Sequence, residues 1–151
     1  FIKGWLIDFL IEKKAINIHM GLSPFYRGAA CNFWALYDKR PSYIGATIHL
    51  LSKGLDTGNI IYHSLPIYQD NESCFDFTMR AVDSVHKSLL LRLNDRNLFD
   101  LTTISQNPDS LISYSKNSLF TDEIAKDFMD NESSFLPKAF NYPDLHNAIF
   151  L

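Results

Sequence analysis

The sequence predicts an α/β fold, the second half of a doubly wound domain with a mixed sheet, followed by a short irregular C-terminal appendage. Three observations predict it. Over residues 1–96, helical apolar spacing alternates with strand-like runs in the order helix, strand, helix, strand, strand, helix. The runs "YIGATIHLL" and "IIYHSLPIY" are separated only by "SKGLDTGN". That is too short for a parallel crossover, which needs about a dozen residues or more, so the two runs form a hairpin. After Arg96, Asn, Ser and Asp become frequent and apolar residues come in short bursts.

The elements follow in order. Trp5–Lys14 places Trp5, Leu6, Phe9 and Leu10 at helical spacing, with Lys13 and Lys14 toward the negative end of the helix dipole. Ala15–His19 reads as a short strand, and Gly21–Gly28, with its Gly, Ser and Pro, as a loop. Ala29–Asp38 is a short helix that stops before Pro41. Tyr43–Leu51 and Ile60–Tyr68 are rich in β-branched and aromatic residues and read as strands, with Pro66 near an edge or strand end. Ser73 opens a long helix to about Leu93, with Ser73 and Asp76 at capping-box spacing. Its stripe Phe75, Met79, Val82, Val85 (or His86), Leu89 and Leu93 is expected to face the core, and Asp83 and Lys87 to pair on a wet face. "FTDEIAKDFMDN" is a brief helix capped by Thr121, and "FLPKAFNYPDLHNAIF" has no clear period. Residues 97–151 are thus expected to be an appendage to the partial domain 1–96, not a second domain.

Composition narrows the function classes. A chain of 151 residues with 46% hydrophobic and 21% charged residues is globular, and long enough for a real core. No apolar run approaches the ~20 residues of a membrane span. Lys3 and Asp8 break the apolar start, and no small-residue cleavage site follows, so a cytoplasmic protein is expected. The chain opens on Phe1 directly into a helix, which suggests a fragment whose upstream part is missing. Net charge is −3, and the densest basic clusters are Lys13-Lys14 and Lys39-Arg40. Those are too small to grip a phosphate backbone, so no nucleic-acid partner is expected. Cys31 and Cys74 lie far apart without metal-like spacing and read as buried free thiols.

Chemistry gathers around three residues. Asn17 and His19 are two apart on a strand, so they share a face at its carboxyl end, where open α/β sheets bind ligands. Alone, the pair reads equally as a structural Asn and His. "GLDTG" sets Asp56 between glycines in a tight loop. That is either a turn-forming Asp or a loop that lets backbone approach a ligand closely. A carboxylate, an imidazole and an amide on neighbouring strand ends are the parts for acyl-type transfer. No metal is expected: His19, His49 and His63 lack ligand spacing. A Ser23–His19–Asp56 hydrolase triad would lack the Gly-x-Ser-x-Gly elbow.

"INIH", "LSPFYRGAA", "GATIH" and "GLDTG", in that order and spacing, resemble the folate-dependent formyltransferase family. The family includes glycinamide ribonucleotide, methionyl-tRNA and amino-sugar N-formyltransferases. The resemblance is close over Ile16–Leu65 and holds in element order over Gly4–Leu93. It implies a Rossmann-like formyltransferase domain in which Asn17, His19 and Asp56 are catalytic. An acceptor amine would attack the formyl carbon of 10-formyltetrahydrofolate. Asn17 and His19 would stabilise the oxyanion, and Asp56 would set the charge on His19 and manage protons. Lys53, Gly54, Leu55 and Asp56 would lie against the pterin end of the folate, mostly through backbone. Arg27 would bind an acidic acceptor group or pin its own loop.

Two departures stand out. Relatives usually read His-x-Ser-Leu-Leu-Pro where this chain has His19-Met20-Gly21-Leu22-Ser23-Pro24, and "CNFW" replaces the Pro-Ile-Gln type of the tRNA enzymes. The short aromatic tail resembles the appendages of amino-sugar N-formyltransferases, which can serve dimerisation, here as a homodimer, or nucleotide stacking, while each single aromatic reads first as plain packing over the exposed end of the sheet. The expected acceptor is therefore an amino sugar carried on a nucleotide. Methionyl-tRNA, glycinamide ribonucleotide and an inactive fragment are the alternatives.

Overall fold

Helix α1 (Trp5–Glu12) opens the computed structural model, which describes residues 2–136 and 141–151. It ends two residues earlier than its apolar spacing suggests. Lys13 is already its C-cap, and Lys14 turns the chain through the left-handed region (φ 53°). Only Ile7 of this helix is buried, while Trp5 is 77% exposed.

Strand β1 (Ile16–His19) leads into a loop that is shorter than expected, because Tyr26–Gly28 forms a strand, β2. Helix α2 (Cys31–Tyr37) follows. The next expected strand is trimmed at its start: Pro41–Tyr43 is a 3-10 turn, and strand β3 covers Ala46–Leu50. Strand β4 runs Ile60–Leu65 and stops at Pro66, which has no N–H to offer a ladder.

The long helix α3 (Cys74–Asn94) starts where the capping box places it. The Ser73 hydroxyl accepts from Asp76 N at 3.0 Å and donates to the Asp76 carboxylate at 2.7 Å. Asp83 and Lys87 pair at 2.6 Å. The buried face, however, overlaps the expected stripe only in its middle, at the buried Val85 and the half-buried Val82 and Leu89. Phe75, Met79 and Leu93 are exposed, and the helix buries Cys74, Phe77, Ala81, Ser84, Val85 and Ser88. Small residues bring the helix axis close to the sheet, where the Tyr62 hydroxyl meets Ser88 Oγ at 3.1 Å. Sheet contact selects this narrow face over the greasier one.

Strand β5 (Ser113–Ser115), helix α4 (Asp122–Asp130) and strand β6 (Ile149–Phe150) complete the elements. Thr121 caps α4 as expected, its hydroxyl accepting from Ile124 N at 3.4 Å. The unperiodic aromatic stretch lies partly outside the described residues.

The main sheet has the order β1-β3-β4-β6. Its first three strands are antiparallel neighbours and β6 runs parallel to β4, so the sheet is mixed, and β3–β4 is the hairpin that the short loop requires. A second, two-stranded sheet pairs β2 with β5 in parallel. There Gly28 (φ 95°) faces Ser115, whose carbonyl oxygen would overlap any Cβ. Two core clusters flank α3. One joins Tyr26, Cys31, Leu36 and Ile44 to Phe77, Ala81 and Phe135. The other joins Ala46, Ile48, Ile61 and Tyr62 to Val85 and Leu98. Cys31 and Cys74 are buried and free.

Candidate active site

Register decides which side chains meet at the end of β1. Asn17 lies opposite His49 and His19 opposite Thr47 on β3. Alternation sends Asn17, His19, Thr47 and His49 to one face. Beside His49 the β3–β4 ladder shifts register, an irregularity of the kind that re-aims side chains near functional sites.

The following loop, residues 51–59, folds back over this face. Gly58 passes so close to the end of β3 that a Cβ would overlap Leu50 O. Asp56 takes a left-handed backbone conformation (φ 50°), and its carboxylate lands among the strand side chains. The Asn17 amide donates to Asp56 Oδ1 at 3.0 Å. His19 Nδ1 lies 3.4 Å from Asp56 Oδ2, and His49 Nε2 lies 3.6 Å from Asp56 Oδ1. The sequence-predicted trio is therefore assembled as one cluster.

His49 belongs to the same cluster, a residue that sequence reasoning set aside. Its Nδ1 donates to Leu50 O at 2.8 Å, which leaves Nε2 facing the Asn17 amide at 3.2 Å. Its position two residues from Thr47 on a strand was the available signal, but only the β1–β3 register reveals its partner.

His19 is 6% exposed, and each ring nitrogen faces an acceptor: Nδ1 faces Asp56, and Nε2 faces Tyr26 O at 3.1 Å. Cys31 Sγ adds a contact to Nε2 at 3.5 Å. This geometry holds the doubly protonated imidazolium. Burial works against that charge, but the hydrogen bonds to Asp56 and Cys31 outweigh it and raise the His19 pKa to about 10. His19 first, and then the neighbouring His49, hold the Asp56 carboxyl well below the usual carboxylate range, against the opposing effect of its partial burial.

The departure at Gly21 has a local cause. A Cβ there would come within 2.5 Å of Cys31 Cβ and 2.9 Å of His19 Nε2. With Cys31 filling this space, only glycine fits beside the imidazole. Thr47 fastens the same loop, donating to Gly21 O at 2.7 Å and accepting from Ser23 N at 2.8 Å. Ser23 Oγ is buried without a hydrogen-bond partner, so the Ser23–His19–Asp56 triad is not assembled.

Two further sequence candidates have structural partners. The Arg27 guanidinium donates to Leu55 O at 2.8 Å, so it pins the Asp56 loop and not its own. Lys53 pairs with Asp8 of α1 at 2.7 Å, both side chains exposed. Gly54 and Leu55 are exposed beside Asp56 and leave the outer rim of the loop open.

The family model described as "Formyl transferase" matches residues 4–93. A methionyl-tRNA formyltransferase from Caldanaerobacter subterraneus subsp. tengcongensis is 40% identical over 65 residues, covering 42% of this chain and 21% of that protein. A formyltetrahydrofolate deformylase from Haemophilus influenzae is 33% identical over 94 residues, covering 62% of this chain and 33% of that protein. The chain thus spans a third or less of the length of these curated relatives. Among solved structures, the formyltransferase PseJ from Anoxybacillus kamchatkensis superposes with a TM-score of 0.62 at 26% identity. The match covers 95% of this chain and 68% of PseJ, which was crystallised with UDP-4,6-dideoxy-4-formamido-L-AltNAc and tetrahydrofolate.

Proposed function

The chain belongs to the formyl transferase family, and from that premise we propose that it is the working part of an enzyme moving a formyl group from 10-formyltetrahydrofolate to a primary amine. The observation that carries this is the Asn17–His19–Asp56 cluster at one strand end. The acceptor nitrogen attacks the formyl carbon, and the carbonyl electron pair moves onto oxygen. The intermediate collapses as the bond from that carbon to the folate N10 breaks, and the proton lost by the amine goes to N10. The His19 imidazolium and the Asn17 amide supply the positive charge and the N–H donors that the oxyanion needs. Asp56 keeps His19 charged and carries the proton between the nitrogens.

In the resting network these donors are already engaged, by Asp56, His49 and Tyr26 O. The 3.4 and 3.6 Å contacts to Asp56 are its loose links, longer than a good charge-assisted hydrogen bond. A bound carbonyl oxygen shares the His19 and Asn17 donors with Asp56, which keeps its place beside the imidazolium, and catalytic hydrogen bonds tighten in the reacting complex. The exposed rim at Lys53, Gly54 and Leu55 suits a flat pterin ring held mainly through backbone.

For the acceptor, the reading is an amino sugar carried on a nucleotide in the cytoplasm. The likeness to PseJ supports it, because it extends over 95% of the chain and so includes residues beyond the family-model match at 4–93. The deciding assay gives the full-length protein 10-formyltetrahydrofolate with UDP-4-amino-4,6-dideoxy-L-AltNAc, glycinamide ribonucleotide, charged initiator tRNA, or no acceptor. Formylation of the sugar amine alone is expected. Transfer to another acceptor corrects the acceptor, and formate release without an amine makes the protein a hydrolase, as the deformylase relative is named.

A further inference from the structure

We propose that Gln106, from the segment after Arg96, is a positioning residue that fixes the Asp56 carboxylate for proton handling; this rests on the formyl-transfer reading above. Asp56 holds a left-handed backbone conformation (φ 50°), a region that favours glycine and is fixed here by contacts from outside the loop. Gln106 Nε2 supplies two of them, donating to Asp56 O at 2.7 Å and Gly58 O at 2.9 Å. Two carbonyls converge on one nitrogen, and a primary amide has two protons to give them. Arg27 holds the preceding carbonyl, Leu55 O.

Gln106 is itself anchored. Two residues earlier, Ile104 exchanges both backbone hydrogen bonds with Ile60 at the start of β4, at 2.8 and 3.0 Å. The C-terminal segment is thereby held beside the loop, where the Ser105 hydroxyl also donates to Asn59 Oδ1 at 3.4 Å. Asp56 faces His19, His49 and Asn17, and His19 faces Cys31 as well, so a shifted Asp56 carboxylate changes the charge that His19 can hold.

The test uses Gln106→Met, which keeps the length but has no donor, and Gln106→Glu, which keeps the shape but sets an acceptor against two carbonyls. Both are made in the full-length protein, with the exposed Thr103→Ala as the neighbouring control. The readouts are kcat and KM with 10-formyltetrahydrofolate and UDP-4-amino-4,6-dideoxy-L-AltNAc, and an NMR titration of the His19 ring. A misplacement of about 1 Å at a catalytic group can cost a hundredfold. We expect kcat to fall at least tenfold, donor KM to stay within twofold and the His19 midpoint to fall by at least about one pH unit. Thr103→Ala stays at wild type. If Gln106→Met does not fold, Gln106→Glu decides. A cooperatively melting variant with wild-type kcat and an unmoved His19 midpoint overturns the proposal, as does a change in KM alone. If the wild type formylates no amine but both variants still lower the His19 midpoint, the formyl-transfer reading fails and the positioning role stands.

Discussion

Replacing Asp56 by Asn keeps the shape of the loop side chain and removes the charge that faces His19. At their 3.4 Å separation, a carboxylate and an imidazolium attract by about 5 kcal/mol at an effective dielectric constant of ~20. That is enough to move a pKa by roughly 3.5, comparable with the rise of His19 from its ordinary 6.5 to about 10. Without Asp56, burial is opposed only by the contact to Cys31, and the balance moves toward the neutral ring. The alkaline limb of the rate profile should then move down from near pH 10 toward neutrality, with turnover at pH 7.5 down by at least about a hundredfold. Stability reports the same linkage. A raised histidine pKa contributes fully below pH 6.5, and the contribution is lost as pH rises through about 10. Between those values the fold holds a proton that the unfolded chain lacks, so wild-type stability should fall by up to ~1.4 kcal/mol per pH unit. In Asp56→Asn this slope should flatten. The assays are rate profiles from pH 6 to 10.5, NMR titration of His19, and urea melts across the same range. A variant whose His19 midpoint and alkaline limb stay near pH 10 would refute the reasoning.

The other predictions concern single contacts. Asn17→Ala should lower turnover at least a hundredfold, since one lost oxyanion donor costs about 2.7–4 kcal/mol. Near-normal steady-state formylation by this variant would exclude the proposed role. Gly58→Ala should destabilise the fold by ~1–3 kcal/mol or more, because its Cβ would overlap Leu50 O and disturb the Leu50 N to Asn59 O hydrogen bond. An unchanged urea midpoint would contradict this. Burial lowers the pKa of His63, whose Nε2 donates to Ser23 O at 2.8 Å while Nδ1 accepts from His146 N at 3.1 Å. The stability this adds is present above the ordinary 6.5 of a free histidine and is lost as pH falls below it. The melting temperature should therefore drop toward pH 5, less steeply in His63→Gln, and equal slopes would count against it.

How much of this was legible in the sequence depends on how far apart the interacting residues lie. Asn17 and His19 could be read locally, because a strand period of two fixes their common face before any partner is known. The short loop between the two strand-like runs dictated the β3–β4 hairpin, and the glycines around Asp56 marked a tight turn. Long-range register was not legible. His49 becomes a partner of Asn17 only because β1 pairs with β3 in one register, and Gln106 meets Asp56 only because Ile104 docks on Ile60. The face of α3 was misread for a different reason. Hydrophobic spacing ranks Phe75, Met79 and Leu93 above Ala81, Ser84 and Ser88. A helix lying against a sheet instead buries the residues that permit the closest approach, and the hydroxyl of Ser88 is satisfied there by bonding to Val85 O and meeting Tyr62. The sequence-distant contacts, Asn17 to His49 and Gln106 to Asp56, are also the ones that bring the strand ends and the C-terminal segment to a single carboxylate. Variants at His49 and Gln106 should therefore couple energetically to Asp56→Asn, since all three act on one carboxylate, whereas Gly58→Ala acts on the loop as a whole.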